Sequence, residues 1–136
     1  MFSRHKNPTL SPEQAGQELP QLPTTQQPTF TDLQYTSWAD AIQEQFAGCD
    51  FSVALPWELT ASGKTVNNIL KQLRTSGDFL RLVTAYGVRE YDQCGVWPTA
   101  GNFKGNLYQS VADELEASEV STLNETLNSK GITYRF

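Results

Sequence analysis

Apolar residues recur at the spacing i, i+3, i+4 and i+7 in several stretches of the chain, which is the pattern of an amphipathic helix. The clearest of these stretches predicts a helix over 64–75. The same spacing predicts three further helices, at about 37–47, 106–117 and 119–129. Gly48 follows the first of them and predicts its end, because glycine is favoured just past the end of a helix.

Other stretches alternate strictly between apolar and polar residues, which predicts half-buried strands at 51–57 and 132–136. The segment 79–91 fits either a short helix closed by Gly87 or two strands that turn at Gly87. We favour the two strands because the preceding helix leads into a Ser-Gly-Asp sequence, as helix-to-strand turns often do. Residues 92–105 are rich in glycine and are predicted to form a loop.

Together these elements predict an α+β fold, a small α/β sandwich in which a three- or four-stranded mixed sheet packs against three to four helices. Residues 1–29 have a different composition, with five of the seven prolines and five glutamines. Such a segment buries too little apolar surface to offset the entropy cost of ordering it. We therefore predict an extended or disordered arm at 1–29 and one globular domain at 30–136.

The chain has 136 residues, enough for one domain, and a formal net charge of −5 at neutral pH. This acidity argues against broad, non-specific binding to nucleic acids or acidic membranes. Apolar runs are only a few residues long, and the N-terminal residues do not resemble a signal peptide. The sequence predicts a soluble protein, cytoplasmic or carried in a virion, with Cys49 and Cys94 as reduced thiols.

The sequence Gly63-Lys64-Thr65 before a predicted helix is half of the signature of a phosphate-binding loop. A complete signature requires a glycine five residues before Gly63, and Glu58 occupies that position. Its carboxylate would repel the phosphates, so we predict that this sequence only begins a helix. Thr60 or Ser62 is then the expected N-cap, with Gly63 easing the turn into the helix.

One face of the same helix favours an alternative function, nucleic-acid binding. Lysine and asparagine side chains are suited to phosphates and base edges. If 79–91 is a β-hairpin, helix and hairpin resemble the recognition helix and wing of the winged-helix DNA-binding family. The chain departs from that family upstream, where a strand-like segment replaces the second helix. The candidate residues are Lys64, Asn67, Asn68, Lys71 and Arg74.

No metal, cofactor or catalytic site is predicted. The only histidine, His5, lies in the predicted arm, whereas zinc sites and Ser-His or Cys-His pairs need histidines or more cysteines. A small enzyme of unknown class remains an alternative, but its candidate side chains have no recognisable spacing. These candidates are the acids Asp50, Glu58, Asp78, Glu90 and Asp92, with Lys64 or Cys94 as nucleophile.

The leading hypothesis is a non-enzymatic protein-interaction or structural protein, a subunit or accessory factor of a larger assembly, such as a phage or viral structural component. It would bind protein neighbours, or itself, through the N-terminal arm and the C-terminal strand. The Pro-x-x-Pro spacing in the arm suits an aromatic groove on a partner. The candidate contact residues are Pro20, Leu22, Pro23, Ile132, Tyr134 and Phe136.

Overall fold

The computed structural model describes residues 9–48, 58–92 and 102–136. The predicted strand at 51–57, both cysteines and most of the predicted loop lie outside these residues. Within them the chain forms six helices and two strands. These elements are α1 (Pro12–Glu18), α2 (Asp32–Ala47), α3 (Ala61–Gln72), α4 (Ser76–Tyr86), β1 (Arg89–Asp92), β2 (Asn102–Gly105), α5 (Leu107–Glu114) and α6 (Ala117–Ser129).

The predicted α/β sandwich is wrong. The structure is mostly helical, and its only described sheet has two antiparallel strands, not three or four in a mixed arrangement. Two segments account for the difference: 79–86 belongs to a helix, and 132–136 forms no strand. In both, the apolar side chains pack against helices, so their alternation in sequence does not reflect pairing in a sheet.

Helix α4 lies at the centre of the fold and packs against both α1 and α2. It begins with a capping box, in which the Thr75 hydroxyl accepts a hydrogen bond from the Asp78 backbone N–H at 3.1 Å and the Asp78 carboxylate accepts one from the Thr75 N–H at 3.2 Å. The Ser-Gly-Asp sequence therefore forms the first turn of α4 and is not a helix-to-strand turn. Eight of the eleven residues of α4 are buried, and the alternative of a short helix closed by Gly87 is therefore the correct interpretation of this segment.

The other long helices agree more closely with their predictions. Helix α2 starts earlier than expected, at Asp32, because Thr31 caps it by accepting a hydrogen bond from the Gln34 N–H. Thr60 is the N-cap of α3, which confirms one of the two predicted alternatives, Thr60 and Ser62. Helix α3 packs against α2 on one side and α6 on the other. No described helix combines the length and apolar character needed to cross a lipid bilayer.

Strands β1 and β2 pair antiparallel, with Tyr91 opposite Phe103. The Tyr91 ring is buried between Phe46 of α2, at a centroid distance of 6.0 Å, and Phe103, at 5.4 Å. The predicted hairpin within 79–91 was therefore placed one element too early, and part of the predicted loop is strand β2. The sheet closes one end of the helical core by packing against α2 and α5.

Residues 9–29, expected to be extended or disordered, instead contain α1 and two short 3₁₀ turns. Leu10 and Ala15 are buried in the main core, and α1 packs along α4. The composition argument failed here because the few apolar residues of the segment are buried against a surface that α4 provides, and this burial offsets the ordering cost. The division of the chain at residue 29 stays a prediction.

Candidate functional site

The N-terminus of α3, where Gly63-Lys64-Thr65 suggested a phosphate site, is occupied by a carboxylate of the protein itself. Oε2 of Glu119 accepts hydrogen bonds from the Thr60 N–H at 2.8 Å and the Thr60 hydroxyl at 2.7 Å. A Cβ on Gly63 would overlap Oε2 of Glu119, so glycine is needed for this close approach. The carboxylate takes the favourable place at the positive end of the helix dipole, and the sequence is a structural cap between α3 and α6.

The five candidate nucleic-acid residues do not form one surface. Lys64, Asn68 and Lys71 are exposed along one row of α3, and Arg74 is exposed just beyond its end. Asn67 is instead buried, and its Oδ1 accepts a hydrogen bond from the Thr126 hydroxyl of α6 at 2.6 Å. We call the four exposed residues the basic row.

The winged-helix arrangement does not describe this chain. The helix that precedes the β1–β2 hairpin is α4, which is buried at the centre of the fold. Its one cation, Arg81, forms an ion pair with Asp32 at 2.6 Å. Helix α3 has α2 and α6 along its sides. A major groove about 12 Å wide admits a single helix, so neither α3 nor α4 is placed to act as a recognition helix.

The Pro-x-x-Pro sequence forms an ordered turn, here called the proline turn (residues 19–23). Nε2 of Gln27 donates hydrogen bonds to the backbone oxygens of Leu19, at 3.0 Å, and of Leu22, at 2.8 Å. Pro20 and Pro23 are exposed, and Leu22 is half-buried against the core. Leu22 and Pro23 have polyproline II dihedral angles (φ −72°, ψ 147° and φ −56°, ψ 154°), whereas 19–21 is a 3₁₀ turn.

The C-terminal candidates, predicted to form a pairing strand, lie in a non-helical tail that packs on the core. Ile132 is buried, and the Tyr134 ring stacks on Phe79 at 5.8 Å between centroids. Phe136 is held through its backbone, because its N–H donates to Oδ1 of Asn124 at 2.8 Å and its carbonyl accepts from Nδ2 at 3.2 Å. Strand addition through this tail is therefore not supported.

The tail and the N-terminal segment meet each other. The Tyr134 hydroxyl donates a hydrogen bond to Oε1 of Glu18 at 2.5 Å, and Glu18 immediately precedes the proline turn. Burial, and then the hydrogen bond and charge of Glu18, raise the pKa of Tyr134 above its ordinary value. Two groups of partner-binding candidates that are distant in sequence are thus adjacent in the fold.

Asp78, a candidate catalytic acid, is fully buried and serves as a hydrogen-bond acceptor. Oδ1 accepts from the Thr29 N–H and the Tyr35 hydroxyl, each at 2.6 Å, and Oδ2 accepts from the Arg74 N–H at 2.8 Å. Burial by itself raises the pKa of this carboxyl, but the hydrogen bonds outweigh it and the pKa lies below the ordinary value. This ionised carboxylate links the segment between α1 and α2 to helix α2 and to the start of α4. Because donors enclose it, it has no access to a substrate.

The remaining enzyme candidates are dispersed. Glu58 is exposed ahead of α3, and Asp50 and Cys94 lie outside the described residues. Glu90 and Asp92 do meet, with Glu44, at an open depression of about 450 Å³ between the end of α2 and the hairpin. Its lining residues are Gln43, Glu44, Ala47, Glu90, Tyr91, Asp92 and Asn102.

This depression is polar and acidic, and Glu90 is hydrogen-bonded there to two of the other lining residues. Nδ2 of Asn102 donates to Oε2 of Glu90 at 3.2 Å, and Nε2 of Gln43 donates to the Glu90 carbonyl at 3.0 Å. In the described ranges, no group of three or more His, Cys, Asp or Glu side chains is arranged to bind a metal ion.

Three residues that organise these surfaces were not predicted to do so: Gln27, Glu119 and, as an acceptor, Asp78. A recognisable sequence pattern existed for Asp78, because Thr75-x-x-Asp78 is a capping-box sequence. No sequence pattern identifies the bonds of Gln27 to the Leu19 and Leu22 carbonyls or those of Glu119 to Thr60, since the fold brings these groups together. Comparison with protein-family profiles, curated proteins and solved structures finds no match to this chain.

Proposed function

We propose that the protein is a non-enzymatic interaction protein, a subunit or accessory factor of a larger assembly. Its contact surface is the proline turn together with the adjoining C-terminal tail. The observation that carries the proposal is the pair of hydrogen bonds from Gln27 to Leu19 and Leu22, which hold an exposed proline turn in one conformation.

A preformed contact segment binds more tightly than a flexible one because the entropy cost of ordering it has been met during folding. The turn exposes Pro20, Gln21 and Pro23, while Leu22 anchors it to the core. The rings of Pro20 and Pro23 have little rotamer entropy to lose on contact with a partner. The partner expected from this surface is a protein with a shallow apolar or aromatic depression.

The tail extends the same surface. Tyr134 and Phe136 are half-buried, so each residue keeps part of its surface accessible to a partner. The bond between Tyr134 and Glu18 fixes the tail relative to the turn. Ile132 is buried, and its role in the proposal is to support this surface from inside.

The experiment compares partner recovery by the full chain and by a double variant, Pro20→Ser with Pro23→Ser. Purified, tagged protein is used for affinity capture from the native source with quantitative mass spectrometry, and the dissociation constant is then measured with the purified partner. Pro12→Ser is the matched control, since it makes the same chemical change at the start of α1. We expect the double variant to lose the partner and the control to retain it.

A second variant, Gln27→Ala, tests the preformed turn itself. It leaves both exposed prolines in place and removes only the donor to the two carbonyl oxygens. We expect weaker binding, with a loss of about 1 kcal/mol corresponding to one or two uncharged hydrogen bonds. Equal affinity of wild type, the double variant and Gln27→Ala would contradict the proposal, as would failure to recover any stoichiometric partner.

Substitution is preferable to deleting residues 1–29. Such a deletion would also remove Thr29 from the Asp78 carboxylate and Gln26 from the Ser76 N–H. Loss of binding after deletion would then be indistinguishable from loss of folding. The narrower hypothesis, a phage or viral structural component, rests on architectural analogy alone. Its test is whether the chain co-purifies with intact particles.

A further inference from the structure

Helix α3 presents a row of cations that the proposed protein-interaction surface does not use. Residues 59–77 contain Lys64, Lys71 and Arg74 but no aspartate or glutamate. In the described part of the chain, neither lysine has a carboxylate within 4 Å, whereas Arg81 and Arg89 are paired with acids of α2. The basic row is therefore a local positive surface on a chain of net charge −5.

The row is continuous along the helix. Lys64, Asn68 and Lys71 recur at i, i+4 and i+7, which places them on one side of α3 over about 10 Å. Thr65 and Asn67 flank the row on opposite sides, bonded to Gln45 of α2 and Thr126 of α6. The row thus lies on the side of α3 that faces away from both neighbouring helices.

Arg74 lies two residues beyond the end of α3 and adds a different chemistry. Its guanidinium lies over the ring of Phe30, 4.4 Å from the centroid, while the residue as a whole stays exposed. A planar guanidinium fixed by an aromatic ring offers a surface on which a nucleobase can stack. Lysines that contact phosphates beside such a stacking group are the combination found in sites for single-stranded nucleic acid.

We propose that the basic row binds single-stranded nucleic acid, with Lys64 and Lys71 on the phosphates and Arg74 against a base. Duplex is disfavoured because α2 and α6 flank α3, so the three helices together are wider than the major groove. The proposal is independent of the proline turn and does not rest on the proposed function.

Fluorescence anisotropy tests this with the full chain and a labelled, mixed-sequence single strand of about 12 nucleotides, a length within the usual site sizes. With two lysines on phosphates, the slope of log affinity against log salt is about −1.4, so a fourfold rise in salt weakens binding about sevenfold. The matched pair of variants is Lys71→Glu and Lys104→Glu. Both residues are exposed lysines, but Lys104 lies on β2.

We expect Lys71→Glu to weaken binding several-fold and to reduce the magnitude of the salt slope by about 0.7, with Lys104→Glu close to wild type. Arg74→Lys keeps the charge and the backbone hydrogen bond to Asp78 but loses the planar guanidinium on which a base can stack. It should therefore weaken binding without changing the salt slope. An abasic strand of equal length tests the same stacking contact.

Four results would overturn the proposal. They are no anisotropy change at low salt, equal losses from Lys71→Glu and Lys104→Glu, duplex bound as tightly as single strand, and an abasic strand bound as tightly as the mixed sequence. Circular dichroism and urea midpoints confirm that each variant is folded, and every substituted side chain is exposed.

Discussion

Replacing Asp78 by asparagine tests the central interaction of the fold while keeping the size of the side chain. The carboxylate accepts hydrogen bonds from three backbone N–H groups, those of Thr29, Arg74 and Thr75, and from the hydroxyls of Thr29 and Tyr35. An asparagine amide presents donors on one side, so it cannot accept from all of these groups in either orientation.

The less costly orientation places the amide nitrogen at the Oδ1 position. The Tyr35 hydroxyl can rotate to accept from it, but the Thr29 N–H is left without an acceptor, at a cost of about 1–3 kcal/mol. The remaining bonds lose their charge assistance, which costs about another 1–2 kcal/mol. Because asparagine is neutral, its burial costs less than that of a carboxylate, and this difference offsets part of the two losses. We therefore expect Asp78→Asn to lower the free energy of unfolding by about 3 kcal/mol.

The assay is urea unfolding followed by circular dichroism and tryptophan fluorescence. With an m-value of about 2 kcal/mol/M, the midpoint should fall by about 1.5 M. Asp32→Asn is the matched control. It removes the same charge and an ion pair with Arg81, but Asp32 is 87% exposed, so we expect about 0–1 kcal/mol. A midpoint for Asp78→Asn equal to that of Asp32→Asn would refute this account of the core.

The same variant has a defined pH dependence. Because the pKa of Asp78 is lower in the folded state, its contribution to stability is present above the unfolded pKa of about 3.9 and is lost as pH falls through the folded value. The difference between wild type and Asp78→Asn should therefore shrink below about pH 4. A difference that stays constant into strong acid would show that the carboxylate is not ionised in the fold.

Three further predictions follow from the packing. Gly77→Ala should destabilise the protein by about 2 kcal/mol or more in urea unfolding, since the new Cβ would lie 2.6 Å from the backbone atoms Gln27 C and Pro28 N. Gly16→Ala is the control: a Cβ there would meet nothing within 4 Å, so it should stabilise the protein by about 0.5–1 kcal/mol, and equal effects of the two substitutions would contradict the close packing at Gly77. Gly63→Ala should cost about 1–2 kcal/mol by displacing Glu119 from the Thr60 N–H. In a Glu119→Ala background the same substitution should cost much less, because no side chain is left to displace; an unchanged midpoint in Gly63→Ala would refute the cap. Burial raises the pKa of all five tyrosines, so their contribution to stability is intact below the ordinary pKa of about 10 and is lost as pH rises above it. Phenolate absorbance should therefore stay low past that pH and then rise together with unfolding. A gradual titration of the folded protein would contradict the burial.

Helices with a clear apolar stripe and a side-chain cap were predictable from the sequence. The stripe over 64–75 and the cap at Thr60 located α3 to within about three residues, an ordinary error for a helix end. Gly48 marked the end of α2 correctly. In each case the physical cause is local, because the spacing of apolar residues and a hydroxyl next to backbone N–H groups are encoded within a few positions.

Helix α4 and the two chain ends were decided by the tertiary structure. Helix α4 is buried on most sides because it is central, and in so short a segment its apolar residues fit both a helix and a strand. Residues 132–136 alternate like a strand but find ring partners instead of a sheet.

The proline- and glutamine-rich segment becomes ordered on a surface that exists only after α4 has folded. Gly77 leaves room on that surface for the backbone of Gln26–Pro28, and the buried carboxylate of Asp78 accepts the hydrogen bond from the Thr29 N–H. By itself the sequence determined the acidity of the protein and the positions of several amphipathic helices. Which helix is central, and what covers it, depended on contacts between residues about fifty positions apart, and such contacts leave no periodic pattern in the sequence.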